Sequence, residues 1–170
     1  MNMTREQISK WLDAYFEAAN RLQGEVESVA ELSRYFAPDM QFIMYTPPPF
    51  MTPPLSREEL LMTFVHPGIH EQLTPKYYVI DTESMLAVVQ FELQFRHSEY
   101  GKTWAPLLAS AHYHLRENAD GEIVIGKIQY WTQSHPAGDD FDSLFVLWGS
   151  AKEQALVEFG MRRFRAGSGK

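Results

Sequence analysis

The feature that most limits the fold is a period-two pattern in the second half of the chain. Large apolar residues alternate with polar ones over Met85–Arg96, and the pattern recurs over Leu107–Arg116. This alternation is typical of strands with one buried face and one exposed face. A turn sequence at Asn118–Gly121 precedes a further strand, which we predict over Glu122–Gln133. The sequence therefore predicts a meander of long antiparallel strands.

The first half of the chain has the three- and four-residue apolar spacing of helices. Thr4 can cap a first helix that runs to Leu22, and a second, shorter helix ends at Ala37–Asp39. A short strand is predicted over Met40–Thr46. Ser56, followed three residues later by a glutamate, forms a capping box that starts a third helix. Helices followed by a meander indicate an α+β fold.

The C-terminal part predicts one more helix after the sheet. Its expected first turn contains three aspartates and its last turn three arginines, which suits the helix dipole. We therefore expect a cone domain over residues 1–135, a helical extension of the same domain over 136–165, and a disordered tail over 166–170. A chain of 170 residues fits this single-domain plan.

Composition excludes several classes of function. The chain has no cysteine, which rules out disulfides and thiolate-bound metals. A net charge of −7 disfavours nucleic acid as a partner. No apolar run is long enough to span a membrane, and no secretory signal is visible, so we expect no membrane contact and a cytoplasmic location. The abundant Phe, Tyr, Trp and Met suit a core or an apolar cavity lining.

Three short motifs carry a family resemblance over roughly Thr4–Gln133. They are the Tyr-Phe-Ala-Pro-Asp-Met-Gln-Phe stretch ending at Phe42, the Pro-Pro-Phe run followed by a Ser-x-Glu-Glu-Leu helix start, and Asp-Gly-Glu-Ile ending at Ile123. With this order of elements, the chain resembles the nuclear-transport-factor-2-like superfamily. The resemblance implies a cone-shaped, curved antiparallel sheet that packs on three N-terminal helices around a cavity, and a homodimer formed through the outer sheet face.

The superfamily includes ketosteroid isomerase, scytalone dehydratase, SnoaL-type polyketide cyclases, carotenoid-binding domains and non-catalytic transport adaptors. Tyr15 matches the oxyanion-donating tyrosine of ketosteroid isomerase, whereas the position of its base falls on Met44 and that of its second acid on Tyr113 or His112. A thioether cannot abstract a proton, so that mechanism is not expected here. The tyrosines and histidines are similar to the inventory of scytalone dehydratase. The catalytic candidates are therefore Tyr15, Tyr113 and His112.

Each catalytic candidate also has a structural interpretation. Tyr15 is either a core aromatic or a hydroxyl that points into a cavity. Strand alternation places His112 and His114 away from the buried face, towards solvent or a dimer interface, unless a β-bulge exchanges the faces. A metal site formed by these two histidines with His66 or His70 is a further alternative, although no carboxylate has ligand spacing with them. We predict no metal.

Substrate-binding residues are predicted on the inward-facing strand positions and on the proline-rich loop, which is either a rigid crossing or a lid. They are Phe42, Met44, Tyr45, Phe50, Phe91, Leu93, Phe95, Tyr130 and Trp131, the last on the opposite face from Tyr130 unless the strand bulges.

The leading functional hypothesis is a cofactor-independent lyase, isomerase or cyclase of the dehydratase type. Its substrate would be a small hydrophobic, cyclic metabolite bound in the cone cavity. Two alternatives stay open. One is a non-catalytic binding protein for an apolar ligand such as a carotenoid or a lipid. The other is a dimeric adaptor whose cone is filled by side chains.

Overall fold

The computed structural model describes residues 3–21, 28–45, 54–64, 68–98, 100–132 and 143–144. The elements in chain order are α1 (Arg5–Arg21), α2 (Ser28–Leu32), a 3₁₀ turn (Ser33–Tyr35), β1 (Phe36–Met44), β2 (Leu55–Ser56), α3 (Arg57–Thr63), β3 (Ile69–Asp81), β4 (Leu86–His97), β5 (Leu107–Glu117) and β6 (Ile123–Thr132). Three helices with a strand before the third, followed by long strands, confirm the predicted α+β order.

The six strands form one curved, open sheet in the order β2-β1-β6-β5-β4-β3. The pairs from β3 to β6 are antiparallel, as the alternation predicts. β1, however, runs parallel to β6, with Phe42 opposite Ile128. The predicted wholly antiparallel sheet is therefore a mixed sheet. The long path through α3 and the meander gives the chain the length that a parallel pairing requires.

Two strands begin earlier than the sequence pattern predicts. β1 starts at Phe36, not Met40, and its register shifts between Phe36 and Gln41. Pro38 is tolerated in this irregular stretch because the neighbouring β2 pairs only with Gln41 and Phe42. β3 starts at Ile69, well before the first alternating segment of the predicted meander at Met85. Its first half is rich in polar residues, which suits an edge strand.

The core lies between α1 and the inner face of the sheet. The α1 residues that face the sheet are buried, and so are alternate residues of β4 and β5, which confirms the predicted inward faces: Ile8, Leu12, Tyr15, Phe16 and Ala19 on α1, Ala87, Val89, Phe91, Leu93 and Phe95 on β4, and Ala109, Ala111 and Tyr113 on β5.

Local polar contacts hold two helices in place. The Ser56 hydroxyl accepts a hydrogen bond from the Glu59 N–H, and the Glu59 carboxylate accepts one from the Ser56 N–H, which confirms the capping box. At the end of α1, the Asn20 side chain donates to the Leu73 carbonyl and accepts from the Leu73 N–H, each at 2.8 Å. Asn20 thereby fixes α1 against the free edge of β3.

Several predictions fall outside the described residues. These are most of the final helix, the tail, the loop from 46 to 53 with Phe50, and His66. Of the final helix, Ser143 and Leu144 are described, and Leu144 is buried. In the described ranges, no helix combines the length and apolar character needed to cross a bilayer.

Candidate functional site

Two tyrosine side chains lie next to each other in the interior between α1 and the sheet. Tyr15 on α1 and Tyr113 on β5 are both buried, with ring centroids 5.8 Å apart. Burial, and after it the charge of Glu71, raises the pKa of Tyr15, and the neighbouring Tyr113 side chain lowers it by a smaller amount. Burial also raises the pKa of Tyr113. Both side chains are therefore neutral phenols that can donate hydrogen bonds.

Glu71 on β3 is an ionisable group on the same inner side. It lies opposite Phe95 in the β3–β4 register, and directly opposed residues share a face of the sheet. Burial raises the pKa of Glu71 to about 7. Its charge in turn raises the pKa of Tyr15 and of Tyr130 on β6. One carboxyl group and three tyrosines therefore form a connected cluster, which we call the Glu71 cluster.

Sequence analysis did not single out Glu71. The signal was present, because Ile69, Glu71 and Leu73 alternate and both flanking apolar residues are buried. A charged residue in phase with two inward apolar residues predicts a carboxylate on the inner face of the sheet, provided that the strand itself is recognised.

The rings next to the Glu71 cluster are in contact with one another. Phe91 lies 5.7 Å from Phe16 and 5.9 Å from Tyr130, and Tyr130 lies 5.7 Å from Phe42, measured between ring centroids. These side chains therefore pack together in this part of the cone. The larger interior cavity expected from the sequence stays a prediction.

Glu71 also connects the interior with the surface. A cleft of about 210 Å³ at the edge of β3 is lined by Asn20, His70, Glu71, Gln72, Gln94 and Arg96. Glu71 belongs to this lining and also acts electrostatically on two buried tyrosines. A small molecule in the cleft can therefore approach the cluster beside the end of α1.

The structure does not bring His112 to the two candidate tyrosines, Tyr15 and Tyr113. His112 is half-buried on the outer face, and its ring lies 4.7 Å from that of Trp131. Trp131 stacks in parallel on the exposed Tyr45, also at 4.7 Å. The register irregularity between β5 and β6 comes after His114, so the alternation holds at His112. His112, Tyr45 and Trp131 are thus separated from Tyr15 and Tyr113 by the thickness of the sheet.

The other predicted substrate-binding residues that the structure describes face inward or lie near the core. Met44 is half-buried and packs against the core, and the remaining ones are buried: Phe42, Phe91, Leu93, Phe95 and Tyr130.

The histidines do not form a common metal site in the described part of the chain. His70 lies opposite Arg96 at one end of β4, and His114 lies opposite Leu86 at the other. At about 3.3 Å per residue, the two positions are roughly 30 Å apart along the strand. His114 donates instead to the Gln129 side-chain oxygen at 2.8 Å. Within the described ranges, no three His, Asp or Glu side chains are grouped to hold a metal ion.

The raised pKa of Glu71 predicts a pH-dependent stability. The pKa rises from 4.5 to about 7 on folding, so the unfolded chain loses this proton first as the pH increases. The stability that protonated Glu71 contributes is complete below pH 4.5 and is lost as the pH rises through 7. We compare the free energy of unfolding in urea at pH 5 and at pH 8. Between these pH values we expect that of wild type to fall by about 2 to 3 kcal/mol more than that of Glu71→Gln. Parallel pH profiles for the two proteins would contradict a buried, proton-binding Glu71.

No family model and no curated protein matches this chain. Its fold matches solved structures. AusH from Aspergillus nidulans has a TM-score of 0.56 and 16% identity, covering 86% of this chain and 91% of that one. A ketosteroid isomerase-like protein from Erwinia carotovora atroseptica has a TM-score of 0.52 and 16% identity, with 75% and 94% covered. A protein from Catenulispora acidiphila in complex with S-DNPA has a TM-score of 0.51 and 16% identity, with 74% and 90% covered.

These likenesses show the fold. The chain is similar to proteins with the nuclear-transport-factor-2-like, or SnoaL-like, fold, and it adopts the corresponding α+β cone. The resemblance predicted from the sequence is therefore confirmed at the level of fold.

Proposed function

We propose that this protein is a cofactor-independent enzyme that performs acid–base chemistry on a small hydrophobic, cyclic metabolite, as a lyase, an isomerase or a cyclase. The observation that supports this most is Glu71. Its carboxyl group lies on the buried face of the sheet beside tyrosine side chains, and its pKa is raised to about 7 by burial. A group that exchanges its proton near neutral pH suits general acid–base catalysis.

The Glu71 cluster suggests a role for each member. Ionised Glu71 removes a proton from a carbon next to a carbonyl group and returns it at another position. Tyr15, kept neutral by burial, donates a hydrogen bond to the oxygen on which negative charge develops. In this proposal Tyr113, whose ring lies 5.8 Å from that of Tyr15, donates a hydrogen bond to the Tyr15 oxygen and so makes Tyr15 a stronger donor.

The surroundings of the cluster favour an apolar substrate. Phe16 and Phe91 provide aromatic surface next to Tyr113 and Tyr130. In such surroundings a few polar groups determine orientation and selectivity. Two of the structural neighbours are consistent with small-molecule chemistry, since one is described as ketosteroid isomerase-like and the other is in complex with S-DNPA.

Turnover of a simple cyclic ketone tests the proposal. We expect the protein to convert 3-cyclohexen-1-one to its conjugated isomer faster than acetate at the same carboxylate concentration, because Glu71 and Tyr15 act together. Absorbance of the conjugated product measures the rate. No acceleration, together with a carotenoid or lipid retained by the purified protein in native mass spectrometry, would instead favour the non-catalytic binding protein.

We also propose a homodimer formed through the outer face of the sheet. This face exposes apolar side chains: Leu108 is 41% exposed, Tyr77 53% and Val79 60%. We expect sedimentation at about twice the chain mass of 19.7 kDa and a shift to monomer in Leu108→Glu, because a buried unpaired charge destabilises an interface. A monomeric wild-type protein would contradict this proposal.

A further inference from the structure

Two clefts adjoin where β3 begins and β4 ends. The smaller is the 210 Å³ cleft that Glu71 lines, and the larger measures about 380 Å³. His70 and Arg96 line both clefts and lie opposite each other across the β3–β4 pair. The larger cleft also includes His97 and Lys102. We call the larger one, with the shared His70 and Arg96, the basic cleft.

The charge of the basic cleft is opposite to that of the chain. The net charge of the protein is −7, yet the described residues that line this cleft include Arg96, Lys102 and two histidines and no carboxylate. Cationic groups that share a small volume repel one another, and a bound anion would remove that cost.

Several polar side chains that line the two adjoining clefts have unused hydrogen-bonding capacity. Within the described ranges, the Arg96 guanidinium and the His70 imidazole have no hydrogen-bond or ion-pair partner. The same holds for the side-chain amides of Gln72 and Gln94, which lie opposite each other one step further along the same face. Most of the other arginines in the described ranges are paired, for example Arg21 with Glu31 at 2.9 Å.

Lys102 is held in position beside the cleft. Its ammonium group donates to the Ser143 hydroxyl at 3.0 Å and lies 4.9 Å from the centroid of the Trp104 ring. These contacts restrict a side chain that would otherwise sample many rotamers, and so lower the entropic cost of using it in binding.

We infer that the basic cleft binds an oxyanion, namely the carboxylate or phosphate group of a small ligand. Arg96 supplies the planar pair of N–H donors that matches two oxygens of such a group. Lys102 and His70 contribute further donors from either side. The inference does not depend on the acid–base chemistry proposed for Glu71, which lines the adjoining smaller cleft.

Titration of the full chain with sodium phosphate and with sodium benzoate tests the inference. In amide chemical-shift titrations at low ionic strength, we expect saturable binding of at least one anion, with Kd of about 1 mM or tighter. Arg96→Met should weaken it roughly tenfold or more, because a charge-assisted bidentate contact is lost. Arg96→Lys should bind with intermediate affinity, since it keeps the charge but not the fork.

Arg5→Met is the matched control. Arg5 is an exposed arginine at the start of α1, away from both clefts, and its loss should change Kd less than about twofold. Glu71→Gln should retain anion binding, so failure of the proposed catalysis would leave this result intact. If Arg96→Met does not fold, Lys102→Met gives the same test.

The relative affinities of the two anions identify the class of ligand. Tighter binding of benzoate supports the carboxylate of an apolar ligand, and tighter binding of phosphate supports a phosphate ester. Absence of saturation at 10 mM of either anion overturns the inference. Equal weakening by Arg5→Met and Arg96→Met also overturns it, because binding would then follow net charge alone.

Discussion

Glu71→Gln is expected to lower the turnover of 3-cyclohexen-1-one by about 100-fold or more, which is the usual contribution of a positioned general base. Glutamine keeps the size of the side chain but cannot accept the proton. Because the pKa of Glu71 is about 7, wild-type activity should fall as the pH decreases through 7, when the carboxylate becomes protonated. The rate is measured from the absorbance of the conjugated ketone between pH 5 and pH 9.

Glu92→Gln is the control for this experiment. Glu92 lies on β4 on the outer face and pairs with Lys76 at 3.3 Å, so its loss removes a carboxylate from the sheet without touching the Glu71 cluster. The activity of Glu92→Gln should match that of wild type within about twofold. The turnover by Tyr15→Phe should lie between those of Glu71→Gln and Glu92→Gln, since this substitution removes one hydrogen bond to the developing oxyanion. Full activity in Glu71→Gln would remove Glu71 from the mechanism.

Phe91→Ala is expected to destabilise the protein by about 3 to 5 kcal/mol, the range for deleting a buried aromatic ring from a packed core. Phe91 is 1% exposed, and its ring contacts those of Phe16 and Tyr130. The substitution removes these contacts and leaves a cavity between α1, β4 and β6. The loss is measured as the free energy of unfolding in urea at a pH where wild type unfolds in two states.

Tyr100→Ala provides the comparison for Phe91. Tyr100 is also an aromatic residue, but it lies between β4 and β5 and is 68% exposed. Its replacement by alanine should lower the free energy of unfolding by less than about 1 kcal/mol. Equal losses for the two variants would show that the interior rings are not packed as the structure describes. A modest loss of unfolding free energy in Phe91→Leu would further support packing as the origin of the effect, since leucine refills most of the cavity.

The sequence by itself determined which residues of the meander face inward. Tyr113 is buried and His112 is on the outer face because side chains alternate strictly along a strand. The capping box at Ser56 was predictable for a similar reason, since its contacts span three residues. The family resemblance added the cone shape and the match of Tyr15, and the solved structures confirm the fold.

Only the tertiary structure decided which chemical groups meet. Glu71, Tyr15 and Tyr130 come from β3, α1 and β6, and their proximity depends on how a helix docks on a twisted sheet. The parallel pairing of β1 with β6 and the early start of β3 are likewise set by long-range contacts. Periodicity reports the face that each side chain takes within its own element, whereas a pKa near 7 at Glu71 arises from burial by the other elements.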